Sequence, residues 1–194
     1  MNDNIISILK TLTVDFFTAF GLYSFLFLIL SFFIKKAILY NFDEQAKKFI
    51  CFIGVLYIFI WFLGLFVYYF ESNPTERAEM INRLFGKYWF GIWIQPIFWF
   101  LLSQTFRIKR FSNNILIRIF TSFFLIFSIE RLVILSTSLH RDYLPSSWTM
   151  YNDLGIYSSI FILSIILKII FFGLFVLIYS FIINKINQFQ LRNK

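Results

Sequence analysis

The chain has 194 residues and a net charge of +8, and it is 59% hydrophobic but only 14% charged. Soluble domains are about 45–50% apolar and about 25% charged, and a water-soluble globule of this size cannot bury so much apolar surface. The composition therefore excludes a soluble enzyme, a disordered tail and, because Cys51 is the single cysteine, a disulfide scaffold. It predicts one domain, residues 1–194, that forms a helical bundle in a lipid bilayer.

Five apolar segments follow one another along the chain and predict five transmembrane helices. They cover about residues 16–34, 49–70, 88–106, 115–139 and 156–183. Each has about 19 residues or more, enough to cross a hydrocarbon core of about 30 Å at 1.5 Å per residue. Gln95, Pro96 and Gln104 interrupt the third segment, and the fifth is long enough to tilt or to project beyond the lipid. The predicted fold class is an all-α membrane protein.

The lysines and arginines predict the orientation, because basic residues are enriched in cytoplasmic loops. With the N-terminus outside and the C-terminus cytoplasmic, eleven of the 18 basic residues lie on the cytoplasmic side. The start of the chain carries no small-residue cleavage site, so we expect no cleavable signal peptide. The five outer basic residues are Lys10, Arg77, Arg83, Lys87 and Arg141, and two more, Arg131 and Lys168, fall inside helices.

Two predicted outer loops, residues 68–93 and 130–151, mix charged, hydroxyl and aromatic side chains. Two interpretations of the charges in the first loop stay open. Either they pair with one another at the boundary between lipid and water, or they simply solvate the loop. These residues are Glu71, Glu76, Arg77, Glu79 and Arg83.

Glu130 and Arg131 lie deep inside the predicted fourth helix, and Lys168 lies inside the predicted fifth helix. An ionisable group at bilayer depth costs about 2.5–3.5 kcal/mol on insertion scales, so it usually faces protein. If the two helices touch, the Lys168 side chain can extend toward Glu130. The preferred interpretation is a structural ion pair, and the alternative is a proton route through these three residues.

His140 is the only histidine, so this chain alone cannot supply both ligands of a bis-histidine haem. With one histidine and one cysteine, neither a metal site nor an iron–sulfur site is expected. We expect His140 to form hydrogen bonds within its loop beside Arg141 and Asp142, with a titrating role as the alternative. No catalytic residue is identified, and the basic loops lack the stacking aromatics that nucleic-acid binding needs.

Two blocks of residues carry a resemblance to a known family. The stretch STSLHRDYLPSSWTMY (residues 136–151), preceded by Glu130 and Arg131, and the stretch ERAEMINRLFGKYWFGIW (residues 76–93) occur in the family's order. PIFWF at residues 96–100 looks like a further element of it. Together they resemble the C-terminal half of NrfD-type (polysulfide-reductase-like) integral membrane subunits, and most of all the ActC subunit of alternative complex III, a quinol:cytochrome c oxidoreductase. The chain departs from the family at Gly86-Lys87, where a glycine-proline step is usual, and it lacks the first bundle, which holds most of the quinol pocket.

The resemblance implies a half-length, non-catalytic or partial subunit of a quinol-oxidising respiratory complex in the bacterial inner membrane. This chain alone binds no cofactor, and a menaquinol-like quinol, haem and iron–sulfur clusters are expected in partner subunits. One partner is then a separately encoded first half, although a truncated paralogue and an accessory subunit remain open alternatives. The residues expected to dock the outer redox subunits are Arg83, His140, Arg141 and Asp142.

Two other functions are compatible with the residues. A small helical transporter or ion-conducting bundle would place Glu130, Arg131 and Lys168 along a polar path. A purely structural membrane anchor would have no chemistry of its own. The transporter differs from both other functions in one measurable way. The reconstituted protein should show ion or solute flux, and Lys168→Leu should abolish that flux.

Overall fold

A computed structural model describes residues 14–87, 89–127 and 161–192, and these residues are almost entirely helical. A 3₁₀ turn, Thr105–Arg107, joins the fourth helix to the fifth. The described residues contain no strand, which confirms the all-α class for them. In chain order the helices are α1 (Phe16–Phe33), α2 (Ala37–Glu71), α3 (Pro74–Phe85), α4 (Phe90–Gln104), α5 (Lys109–Ser112), α6 (Ile115–Ile126) and α7 (Phe161–Arg192).

Among the described residues, three helices are long and apolar enough to cross a membrane, namely α1, α2 and the Ile162–Phe189 part of α7. They correspond to the first, second and fifth predicted segments. Helix α2 begins twelve residues before its predicted start, because the charged stretch ahead of its apolar run is helical as well. Its 35 residues extend about 52 Å, which is longer than a hydrocarbon core of about 30 Å.

The third and fourth predicted segments form shorter helices in the described part of the chain. Helix α4 has 15 residues, about 22 Å, with Pro96 inside it, and it passes into the 3₁₀ turn after Gln104. Helix α6 has 12 residues, about 18 Å. The rest of the fourth predicted segment, beyond residue 127, lies outside the described residues.

Asparagine side chains mark the starts of two short helices. Asn73 precedes α3 and forms a capping box with Glu76, whose carboxylate accepts a 3.0 Å hydrogen bond from the Asn73 backbone N–H. Asn114 precedes α6, and its side-chain oxygen accepts hydrogen bonds from the backbone N–H groups of Leu116 and Ile117. Both caps satisfy backbone donors that a helix start leaves without an intrahelical partner.

Helix α1 lies at the centre and packs against α2, α6 and α7. Its phenylalanines fill the core, where Phe16, Phe17 and Phe20 are fully buried. The Phe20 ring centroid lies 4.9 Å from that of Phe106 and 6.0 Å from that of Phe172. Tilted and edge-on ring pairs of this kind add to the energy of apolar packing. The aromatic content of the sequence therefore serves helix packing.

Contacts between helices give their relative directions. Tyr23 reaches Asp43 near the start of α2, whereas Phe17 reaches Tyr57 further along it, so α1 and α2 are antiparallel. By the same reasoning, α4 is antiparallel to α2, and α6 is antiparallel to α1. The end of the bundle where α1 and α4 finish and α2 and α6 start is called the basic end here. It carries Lys35, Lys36, Lys47, Lys48, Arg107, Lys109, Arg110 and Arg118.

Candidate functional site

A buried ion cluster joins three helices near the basic end. The Arg118 guanidinium of α6 donates hydrogen bonds to both carboxylate oxygens of Asp43 in α2, at 2.5 and 2.8 Å. Lys47, one turn further along α2, lies 3.0 Å from one of those oxygens. Ser24 of α1 accepts a 2.6 Å hydrogen bond from Arg118 Nε, and the Tyr23 hydroxyl donates a 3.3 Å bond to Asp43. These five residues are the Asp43 cluster, and through them α1, α2 and α6 hold one another.

Burial makes this cluster important for stability. The Arg118 and Asp43 side chains are only 4% and 3% exposed, so little water is available to replace either partner. The guanidinium also lies 4.2 Å from the centre of the Phe27 ring, an arrangement that favours the cation. A buried charge that loses its partner is strongly destabilising. The paired arrangement therefore fixes where α6 lies against α1 and α2.

A cleft of about 790 Å³ opens beside the Asp43 cluster. Four cationic residues line it, and Glu44 is the one carboxylate among the described residues of its lining. The cations come from two separate parts of the chain, α2 and the segment around the start of α5. They are Lys47, Lys48, Arg107 and Lys109.

The walls of the cleft are apolar on the side away from the charges. Phe52 and Val55 of α2 line it together with Tyr179 of α7 and Phe106. The Phe52 and Tyr179 rings are stacked, with their centroids 5.7 Å apart. Phe52 is 48% exposed, so the apolar wall is open to the surroundings. The cleft consequently combines a strongly basic floor with an open apolar side.

Polar contacts hold α4 against the wall of the cleft. The Gln104 side chain donates a 3.0 Å hydrogen bond to the Cys51 carbonyl of α2. The Cys51 thiol in turn donates to the Ser103 carbonyl at 3.2 Å. Gly54 makes this approach possible, since a Cβ there would overlap the Ser103 hydroxyl. These contacts set the position of the 3₁₀ turn that carries Arg107 into the cleft.

A second buried ion pair joins α7 to the start of α1. The Lys168 ammonium lies 2.9 Å from the Asp15 carboxylate, and the two side chains are 12% and 7% exposed. The sequence predicts that Lys168 faces a carboxylate, and in the described part of the chain that carboxylate is Asp15. Its pairing with Glu130 stays a prediction, because Glu130 lies outside the described residues.

The candidate docking residue Arg83 lies on α3, at the end of the bundle opposite the basic end, and it is exposed. It lines a small cavity of about 210 Å³ with Glu76 and Glu79. The Arg77 guanidinium donates to the Phe70 carbonyl and lies 5.3 Å from the Tyr69 ring. Glu76 accepts a hydrogen bond from the Asn73 backbone N–H. Both Glu76 and Arg77 therefore form hydrogen bonds with backbone groups.

Five candidate residues of the second predicted outer loop and the fourth predicted helix lie outside the described residues. No position is assigned to them, and their proposed roles stay predictions. They are Glu130, Arg131, His140, Arg141 and Asp142.

The sequence interpretation missed the Asp43 cluster and the cleft. It assigned Asp43, Lys47 and Lys48 to a connecting loop and counted Arg118 only as a cytoplasmic charge. The available signal was Arg118 itself, which follows three apolar residues at the start of α6 and so requires a partner. In the described residues, no three His, Cys, Asp or Glu side chains come together in a way that would hold a metal ion.

Comparison with known proteins identifies no relative of the chain. No family model matches the chain, and neither the curated proteins nor the solved structures give a match. The resemblance to NrfD-type subunits accordingly rests on the residues quoted for it. The part of the chain that the structure describes is helical and contains three helices long and apolar enough to span a membrane.

Proposed function

We propose that the chain is a structural subunit of a larger respiratory assembly in the bacterial inner membrane, one that oxidises quinol. It crosses the lipid five times, with its N-terminus outside and its C-terminus in the cytoplasm. In this function the chain forms part of the bundle wall and docks outer redox subunits. Quinol, haem and iron–sulfur chemistry belongs to the partner subunits.

The observation that carries a structural role is the pairing of buried charges between helices. Arg118 pairs with Asp43 across α6 and α2, and Lys168 pairs with Asp15 across α7 and the start of α1. A pair that bridges two helices contributes to their relative position and loses this contribution when one partner is removed. This supports helix fixation as the role of the charges, in preference to a polar path for ions.

Two further observations support the orientation and the docking surface. Basic residues of α2, α5, α6 and the segments that join the helices collect at one end of the bundle, as expected for the cytoplasmic end of a membrane protein. The opposite end presents α3, with Arg83 and Phe85 exposed, the latter at 73%. An exposed cation beside an exposed aromatic ring is a combination typical of protein interfaces. The resemblance supports the choice of a quinol-oxidising complex as the assembly.

The assembly is tested by purifying the tagged chain from its native membrane in a mild detergent. We expect it to migrate in native gels with a large complex that shows haem absorbance and quinol oxidation. Arg83→Glu should reduce the amount of haem recovered with the chain, because it reverses a charge on the proposed docking surface. Arg110→Glu, an equal charge reversal on an exposed residue at the basic end, is the matched control. Migration of the chain alone, with undiminished quinol oxidation in membranes that lack it, would contradict the proposal.

The orientation is tested by labelling single cysteines with a membrane-impermeant maleimide in intact cells, in a Cys51→Ser background. We expect Lys87→Cys to react from outside and Lys36→Cys to react only after the membrane is opened. The reverse result would place the basic end outside and refute the proposed orientation.

A further inference from the structure

The cleft at the basic end has more positive charge than its own carboxylates neutralise. Arg118 occupies both oxygens of Asp43, and Lys47 shares one of these oxygens. The single Asp43 charge therefore faces two cations. Lys48, Arg107 and Lys109 also line the cleft, and Glu44 is its one carboxylate among the described residues. Such an excess of like charge around a cleft favours the binding of an anion.

The same cleft continues into an apolar surface along one face of α2. Phe52 and Val55 lie four and seven residues after Lys48, so the three side chains follow one another on the same side of the helix. Phe52 and Val55 are 48% and 42% exposed. The distance along the helix from Lys48 to Val55 is about 10 Å. A ligand in the cleft thus meets cations at one end and hydrocarbon side chains at the other.

The position of the cleft along α2 points to the level of lipid headgroups. Lys47 and Lys48 directly precede the long apolar run of α2, a helix that is long and apolar enough to span a membrane. Lysine and arginine near the end of a membrane-spanning helix lie where phospholipid phosphates are found. The apolar run that follows them lies at the depth of the acyl chains.

We propose that this cleft binds an anionic phospholipid. Lys48, Arg107 and Lys109 hold the phosphate of the headgroup, and an acyl chain lies along Phe52 and Val55. The volume of about 790 Å³ falls in the range of small-molecule sites, about 300–1,000 Å³, and exceeds what a phosphate group alone fills. The inference requires only that the chain is embedded in a membrane, so it stands or falls separately from the respiratory assignment.

The inference is tested by the binding of short-chain phospholipids to the full chain. The chain is first purified and delipidated in a non-ionic detergent. Thermal unfolding is followed by tryptophan fluorescence while dioctanoyl phosphatidylglycerol is added. We expect a saturable rise in Tm, since a ligand that binds the folded state stabilises it. Dioctanoyl phosphatidylcholine, which has the same acyl chains and a phosphate but no net charge, tests whether the net negative charge is required, and glycerol phosphate tests for an effect of the anion alone. Neither should raise the Tm.

Charge removal inside and outside the cleft makes the test specific. Lys48→Gln/Arg107→Gln should raise the apparent Kd for phosphatidylglycerol about thirtyfold, the change expected for the loss of two basic contacts to a headgroup. Lys35→Gln/Lys36→Gln removes the same charge from the same end of the bundle, outside the cleft lining, and should retain the wild-type Kd. If the first double variant does not fold, Lys109→Gln alone should raise the Kd about fivefold.

Three results would overturn the proposal. Equal stabilisation by phosphatidylcholine would mean that the net negative charge of the headgroup is not required, and the cleft would then not be a site for anionic phospholipid. Equal stabilisation by glycerol phosphate would identify a simple anion site. Equal weakening in the two double variants would mean that the charge of the whole basic end attracts the lipid and that the cleft has no special role.

Discussion

Replacing Asp43 with leucine removes the carboxylate that Arg118 and Lys47 share. Asp43 and Arg118 are nearly inaccessible to solvent, so water does not replace the lost partner. Breaking a buried ion pair by removing one partner costs about 3–5 kcal/mol. We expect Asp43→Leu to lower the free energy of unfolding by an amount near the upper end of that range, because it leaves two cations facing each other.

Removing Arg118 should lower the free energy of unfolding less than removing Asp43 does. The geometry of the cluster predicts this asymmetry. In Arg118→Met the Asp43 carboxylate keeps Lys47 at 3.0 Å, so it retains a counter-charge. The variant loses the hydrogen bonds to Asp43 and Ser24, and we expect a cost of about 2–3 kcal/mol. The double variant Asp43→Leu/Arg118→Met should cost less than the sum of the two single changes by about 2–3 kcal/mol.

Reversible unfolding of the purified chain in mixed micelles, with increasing dodecyl sulfate, gives the four free energies of this cycle. Lys47→Met is the control, because it leaves the Arg118–Asp43 pair intact and should therefore cost less than Asp43→Leu or Arg118→Met. Additive costs, or a larger loss for Arg118→Met than for Asp43→Leu, would refute the idea that one carboxylate serves two cations.

Three further predictions concern helix packing, helix capping and the second ion pair. Gly54→Val should cost about 1–3 kcal/mol of unfolding free energy, because a Cβ at this position overlaps the α4 surface. Gly64→Val, where nothing lies near the added carbon, should be close to neutral in the same assay. Asn114→Ala should cost about 1 kcal/mol through the loss of the α6 cap, and an unchanged unfolding midpoint would contradict the capping role. Lys168→Leu should destabilise the chain, since it leaves Asp15 buried without this counter-charge. Ion flux that wild-type liposomes show and Lys168→Leu liposomes lose, with folding intact, would favour a conducting function over the structural one.

The long spans were predictable because burial in lipid requires an uninterrupted apolar run. The first predicted segment, residues 16–34, agrees with α1 to within one residue at its end. The second was too short at its start, because hydropathy reports where a helix enters lipid and not where the helix itself begins. Residues 37–48 mix apolar with charged side chains and are helical, and they carry Asp43 and Lys47 into the bundle.

The Asp43 cluster was not predictable from local pattern, because its two main partners lie 75 residues apart in the chain. The sequence shows that Arg118 follows an apolar start of α6, and a cation in such a place requires a counter-charge. It does not show which carboxylate supplies it. Lys168 illustrates the same limit, since the need for a carboxylate was recognised and yet Asp15 was not among the partners considered.

Lys47 belongs to both the Asp43 cluster and the cleft. Removing the Asp43 charge should therefore lower the stability of the bundle and raise the affinity of the cleft for lipid. Asp43→Asn should destabilise the bundle by about 3 kcal/mol, because Arg118 loses its counter-charge. The same change removes a negative charge from beside the cleft and leaves Lys47 free to attract an anion. We therefore expect the folded variant to bind dioctanoyl phosphatidylglycerol about fivefold more tightly than the wild type. Direct binding below the unfolding temperature measures this affinity separately from stability. Weaker binding by a variant that remains folded would mean that Asp43 shapes the cleft through packing, and that its charge does not oppose the lipid.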